Sequence, residues 1–115
     1  MFDEEVIPDV WIIVKLSGTS VPETYYRVLA GWYGGFLRGD SWRMNSGITK
    51  ITVEKDHYLI SGVSGSVYRC GKHNETVSSY TESILDDYIS ENSEQISIER
   101  VAIADILDKF KPEKQ

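Results

Sequence analysis

The amino-acid sequence predicts a single α+β domain, in which a mostly antiparallel, curved sheet or small open barrel of five to six strands carries one or two C-terminal helices. Residues 10–70 contain short runs of β-branched and aromatic residues separated by turn residues, which is typical of strands joined by hairpins. After Asn74 the apolar residues take up helical spacing. The length of 115 residues suits one domain, in which we expect residues 1–7 and 111–115 to be frayed.

The first two strands are predicted close to the N-terminus. Over residues 10–16 the alternate positions are Val, Ile, Val and Leu, and most positions between them are also apolar, which indicates a strand buried on both faces. Ser-Gly-Thr-Ser at residues 17–20 ends this strand. The aromatic and β-branched stretch at residues 24–33 then predicts a second strand.

A run of hairpins is predicted for the middle of the chain. A loop through Gly39 and Asp40 leads to Trp42, and turn residues then separate three further apolar stretches. We therefore expect an antiparallel meander here, with strands at residues 48–53, 57–62 and 66–70.

A helix is predicted from about Tyr80 to Asn92. Ser79 and Glu82 have the spacing of a capping box, in which a serine hydroxyl accepts a hydrogen bond from a backbone amide of the first turn. Asn92 is expected to end the helix, because asparagine tolerates the left-handed conformation found at helix ends. The apolar face expected to pack on the sheet consists of Ile84, Leu85, Tyr88 and Ile89.

Two shorter elements follow the helix. Residues 95–101 alternate apolar and polar side chains, which predicts a short strand with one solvated face. Residues 103–110 return to helical spacing, and Pro112 stops any long continuation.

The net charge of −6 is distributed unevenly along the chain. Residues 1–20 carry −3, residues 21–74 carry +3 and residues 75–115 carry −6. The acidic face of helix 79–92 could attract a basic protein surface, although charged residues on a helix exterior usually serve solubility. The basic, aromatic segment could instead bind nucleic acid, with bases stacked on Trp32, Tyr33, Trp42 or Tyr68. A surplus of three positive charges is small for such a domain.

A second candidate binding face surrounds the loop that contains Trp42. This residue is flanked by Ser41 and Arg43, a polar setting that is unusual for a tryptophan of the core. Tryptophan and arginine also contribute more often than other residues to the binding energy of protein interfaces. The alternative is that Trp32 and Trp42 fill the open end of the sheet. The predicted binding residues are Trp32, Tyr33, Arg38, Trp42 and Arg43.

The catalytic patterns in the sequence are incomplete. A Gly-Val-Ser-Gly-Ser stretch resembles a nucleophile elbow, but Ser66 occupies the position of its final glycine. Cys70 and His73 have a spacing seen in metal sites, yet His57 is the only other histidine. Basic neighbours could lower the pKa of the Cys70 thiol, but we interpret Cys70 as a small buried hydrophobe on the same strand face as Tyr68. We assign no catalytic residue, metal or cofactor.

Two sequence runs point together to a group of proteins. Trp-Arg-Met-Asn-Ser-Gly-Ile at residues 42–48 and Ser-Gly-Ser-Val-Tyr-Arg-Cys at residues 64–70 resemble small uncharacterised bacterial and bacteriophage proteins. In these a Trp-containing loop precedes strands that end in a Ser-Gly-Ser-x-Tyr-Arg hairpin. The resemblance implies a small β-rich domain of phage or prophage origin that acts by binding a host protein.

The expected setting and function follow from these observations. The N-terminus is acidic, no apolar run is long enough to span a bilayer, and Cys70 has no second cysteine with which to form a disulfide. We expect a cytoplasmic protein, without membrane association, that binds another protein and is not an enzyme. The alternative is a nucleic-acid-binding β-domain that uses residues 21–74, and a small enzyme is the third hypothesis. The sequence does not decide the oligomeric state.

Overall fold

The structure is a computed structural model that describes residues 5–34 and 39–111. This part of the chain contains eight strands, two α-helices and one short 3₁₀ helix, Ile103–Asp105. The predicted α+β class is confirmed. The strands are β1 (Glu5–Val6), β2 (Val10–Ser17), β3 (Tyr25–Trp32), β4 (Ser41–Met44), β5 (Ile48–Val53), β6 (His57–Gly62), β7 (Val67–Gly71) and β8 (Ser97–Val101). The α-helices are α1 (Ser79–Asn92) and α2 (Leu107–Phe110).

The strands form two four-stranded sheets, with the orders β1-β7-β6-β5 and β4-β3-β2-β8. Pairing is antiparallel between the described strands except for β1 with β7, which run parallel. The expectation of one sheet with five to six strands is therefore wrong. The chain leaves one sheet after the β3–β4 hairpin and builds the predicted meander, β5 to β7, in the other. The described strands do not close into a barrel.

Strand β2 lies in the middle layer of the molecule and is buried on both faces, as predicted. Its odd-numbered residues Trp11 and Ile13 belong to a core shared with the other sheet, where they meet Ile51 and Ile60. Its even-numbered residues, such as Ile12, belong to a second core under α1. Because side chains alternate across a strand, one apolar run supplies both cores.

Helix α1 packs on the β4-β3-β2-β8 sheet through the predicted apolar face, with Leu85 buried in the second core. The predicted cap is wrong by one residue. Ser78 is the N-cap: its hydroxyl accepts from the Thr81 amide at 3.1 Å, and its own amide donates to Thr81 Oγ1 at 2.8 Å. Asn92 is the last helical residue, but the following Ser93 has right-handed φ, so a left-handed cap does not end the helix. Instead, Asn92 Nδ2 donates to the carbonyl of Tyr88.

Strands β1 and β4 were not predicted, because each is short and lacks a clear alternation of apolar residues. Strand β4 has the sequence Ser-Trp-Arg-Met and replaces the expected loop around Trp42. Its extended conformation comes from pairing with β3, in which Gly31 is the partner of Trp42. The predicted final helix over residues 103–110 is divided into the 3₁₀ turn and the single turn of α2.

Candidate functional site

A groove with a volume of about 520 Å³ runs between strand β4 and helix α1. We call it the β4–α1 groove. Trp42, Arg43 and Met44 form its strand wall, and Arg27 of β3 also borders it. Its helix wall consists of Ile84, Asp87, Tyr88 and Glu91.

The position of α1 beside β4 depends on Gly31. A Cβ atom at Gly31 would lie 2.3 Å from Cγ2 of Thr81, in the first turn of α1, and 3.2 Å from Cγ2 of Val10. The absence of a side chain therefore lets the helix approach the sheet backbone closely. Since Gly31 pairs with Trp42, this close approach occurs directly beside the strand wall of the groove.

Trp42 is the most exposed tryptophan of the described chain, with 44% of its surface accessible to solvent. It lies on the same face of β4 as Met44, which packs against the core under α1. Arg43 lies between them, and its guanidinium carbon is 5.8 Å from the ring centroid of Tyr68 in the other sheet. The indole of Trp42 is thus presented at the groove and is only half covered by its own chain.

Arg27 and Tyr88 meet across the groove, although they are 61 residues apart in sequence. Arg27 Nη1 donates to Tyr88 Oη at 3.1 Å, and Arg27 Nε donates to the backbone carbonyl of Asn45 at 2.6 Å. Asn45 is itself buried, and its Oδ1 accepts from the Val28 amide at 2.7 Å. The guanidinium is therefore held between the sheet and the helix by two defined hydrogen bonds.

The structure places the predicted binding residues in different surroundings. Trp42 and Arg43 border the groove. Trp32 packs against the core between the sheets, and its Nε1 donates to the carbonyl of Ile7 at 2.7 Å. Tyr33 is 58% exposed just beyond the end of β3. Arg38 lies outside the described residues.

Sequence reasoning missed Arg27 as a residue of the groove and assigned Tyr88 only to helix packing. One signal for Arg27 was present. It is a charged residue inside the apolar second strand and shares the strand face of Leu29, which packs under α1. A partly buried charge on that face needs hydrogen-bond partners, and Tyr88 on the helix supplies one of them.

The structure places Cys70 in the core between the sheets and His57 beside Asp56. Cys70 is fully buried on the same strand face as Tyr68, as interpreted from the sequence. Burial, with a smaller contribution from the charge of Glu75, raises the pKa of the Cys70 thiol, so the idea that basic neighbours lower it is wrong. His57 Nδ1 lies 2.6 Å from Asp56 Oδ1, and this hydrogen bond lowers the pKa of the Asp56 carboxyl. Residues 5–34 and 39–111 contain no group of three or more His, Cys, Asp or Glu side chains that could hold a metal ion.

No family model matches the chain, and comparisons with curated proteins and with solved structures also find no match. In the described part of the chain, no helix is both long and apolar enough to cross a membrane. The geometry and chemistry of the β4–α1 groove therefore carry the proposed function.

Proposed function

We propose that this protein is a non-enzymatic binding protein whose β4–α1 groove holds an extended segment of a partner protein. The observation that carries the proposal is the half-exposed Trp42 on an edge strand that faces a helix across a groove. The cytoplasmic location and the phage or prophage origin, which the sequence predicts, are part of the same proposal.

The edge position of β4 supports an extended partner. Among the described strands, β4 pairs with β3 on one side only, and it forms the end of its sheet. An edge strand offers backbone N–H and C=O groups to an added strand, and a neighbouring groove then accepts alternate side chains of that strand. With four residues, β4 is long enough to pair with a short linear segment.

Trp42 supplies the contact area that such a segment needs. The exposed 44% corresponds to roughly 90 Å² if the whole side chain offers roughly 200 Å². At about 25 cal/mol per Å², covering this area stabilises a complex by about 2 kcal/mol, or about thirtyfold in affinity. A neighbouring apolar surface is present at Met44 and Ile84. Trp42 is therefore the residue whose loss should weaken binding most.

A nucleic-acid ligand fits this geometry less well. Tyr68, one of the four aromatic residues predicted to stack on bases, is fully buried, and Trp32 packs against the core. The basic residues Lys50 and Arg69 belong to β5 and β7, in the other sheet from Trp42. Arg27 and Arg43 border the groove with Trp42, but the other basic and aromatic side chains named here lie in the other sheet or in the core. A single-strand binding platform would gather more of them on one face.

The test is selection of random dodecapeptides from a display library with the full chain as bait, followed by affinity measurements on the selected peptides. We expect Trp42→Ala to weaken binding about thirtyfold with an almost unchanged melting temperature. Val63→Ala is the matched control, because Val63 is an exposed apolar residue in the turn between β6 and β7. Failure of the wild-type chain to enrich any peptide, or equal effects of the two variants, would contradict the proposal. Unfolding caused by Trp42→Ala would assign this residue to the core.

A further inference from the structure

Building on the proposed function, we infer that the β4–α1 groove recognises an acidic side chain, preferably glutamate, in the extended segment that it binds. Arg27 and Tyr88 are the two residues that would hold the carboxylate.

Arg27 is a half-buried cation at the border of the groove. Both acceptors that it contacts, the carbonyl of Asn45 and the hydroxyl of Tyr88, are neutral. No carboxylate forms an ion pair with Arg27 within the part of the chain that the structure describes. These contacts use Nε and Nη1, whereas a guanidinium has five N–H groups in one plane. The remaining donors are available to a ligand in the groove that the residue borders.

The hydroxyl group of Tyr88 can act as a second hydrogen-bond donor to a ligand. Because Tyr88 Oη accepts the hydrogen bond from Arg27, its own proton is available for donation to another acceptor. A guanidinium and a phenol then offer donors side by side, and both residues line the groove. A carboxylate has two oxygens that can accept from both groups, and such charge-assisted bonds are stronger than neutral ones. The Asn45 contact also fixes Arg27 in advance, which reduces the entropy lost on binding.

The distance between β3 and an added segment favours a long acidic side chain. Arg27 lies on β3, whereas an added segment would pair with the outer edge of β4. Strands in a sheet are about 4.8 Å apart, so the backbone of the segment would lie roughly 10 Å from that of β3. The side chains of arginine and glutamate together span this distance more easily than arginine and aspartate do. A C-terminal carboxylate lies on the backbone and reaches less far than a side chain. We therefore expect the carboxylate to come from an internal glutamate and not from the C-terminus of the partner.

Two acidic residues of the helix wall, Asp87 and Glu91, oppose this interaction. Both are exposed, so water and salt screen their charges, whereas Arg27 is half-buried and is screened less. For a single ligand carboxylate, the attraction by Arg27 is therefore stronger than the repulsion by Asp87 and Glu91. A segment with several consecutive acidic residues would meet both helix carboxylates, so we expect a single glutamate with neutral or basic neighbours.

The experiment compares two libraries of random dodecapeptides, one with both peptide ends fused and one with a free C-terminus. We expect wild-type protein to enrich one glutamate at a fixed position in the library with fused ends. Replacement of that glutamate by glutamine should weaken binding at least tenfold. In Arg27→Gln protein the two peptides should bind equally, and Tyr88→Phe, which keeps the ring, should reduce the preference for glutamate several-fold.

The outcomes separate this inference from the proposed function. Enriched peptides that bind wild-type protein through Trp42 without any preference for glutamate would refute the inference and leave the proposed function standing. Enrichment only in the library with a free C-terminus would show that the bound carboxylate comes from the peptide C-terminus, which would refute recognition of a glutamate side chain. If no peptide is enriched, both proposals fail. If Arg27→Gln lowers the melting temperature, the inference is tested by Tyr88→Phe, which removes only one oxygen atom. An unchanged preference for glutamate in Tyr88→Phe would then refute it.

Discussion

Replacement of Gly31 by alanine tests how closely α1 packs against the sheet. The new Cβ would lie 2.3 Å from Cγ2 of Thr81, far inside van der Waals contact. Thr81 cannot simply rotate away, because its Oγ1 accepts from the Ser78 amide in the capping box and its side chain is buried. The helix must move or the cap must break.

The size of the effect can be worked out from two opposing contributions. Overpacking of this kind costs about 1–3 kcal/mol. Alanine also reduces the conformational freedom of the unfolded chain, which stabilises the fold by about 0.4–1 kcal/mol when the backbone conformation allows it. Gly31 does not have a positive φ, so alanine can adopt its backbone conformation. We expect a net loss of about 1–2 kcal/mol in the free energy of unfolding.

Urea denaturation of four proteins measures this effect: wild type, Gly31→Ala, Thr81→Ser and the double variant. Thr81→Ser removes Cγ2 but keeps the hydroxyl that caps the helix, so the double variant should recover most of the stability that Gly31→Ala loses. A neutral effect of Gly31→Ala would refute the close packing. The same loss in the Thr81→Ser background would show that the clash lies elsewhere.

Three other predictions concern the core and the ionisable groups. Leu85→Ala should cost about 2–5 kcal/mol in urea denaturation, because Leu85 is only 8% exposed; a nearly neutral result would mean that α1 packs through another face. The Cys70 thiol should react slowly with iodoacetamide in native protein at neutral pH and rapidly in urea, since burial raises its pKa; fast native alkylation would contradict this. The Asp56 carboxyl should titrate below its ordinary pKa of 3.8 in an NMR titration, and His57→Ala should return it towards that value. Because the folded pKa of Asp56 is lowered, this contact stabilises the fold above the unfolded pKa and is lost as the pH falls through the folded pKa; an unchanged Asp56 pKa in His57→Ala would rule it out.

Much of the fold could be predicted because its signals are local. The apolar run at the start of the chain predicted a strand buried on both faces, and helical spacing predicted the face of α1 that contains Leu85. The division into two sheets could not be predicted, since it depends on where the chain crosses from one sheet to the other after β4. Strand β4 also escaped prediction, because its extended conformation is imposed by pairing with β3 and not by its own composition.

The residues of the groove could also be predicted only where the sequence signal is local. Trp42 was found because a tryptophan among polar neighbours is unusual in any fold. The Arg27–Tyr88 contact joins residues on a strand and a helix that are distant in sequence, so only tertiary structure brings them together. Trp32 was placed in the same predicted patch because it lies in a glycine-rich stretch that could bring another chain close to the backbone. Alternation along the paired strands instead turns its side chain towards the other core.

The two faces of β2 have a consequence for how the protein unfolds. Its odd-numbered side chains, such as Ile13, complete the core between the sheets, and its even-numbered side chains, such as Ile12, complete the core under α1. Displacement of β2 would remove side chains from both cores at once, so the two cores are coupled through this strand. Heat should therefore melt the domain in one calorimetric transition, with equal calorimetric and van't Hoff enthalpies, and local opening of α1 alone should be a minor, partial event.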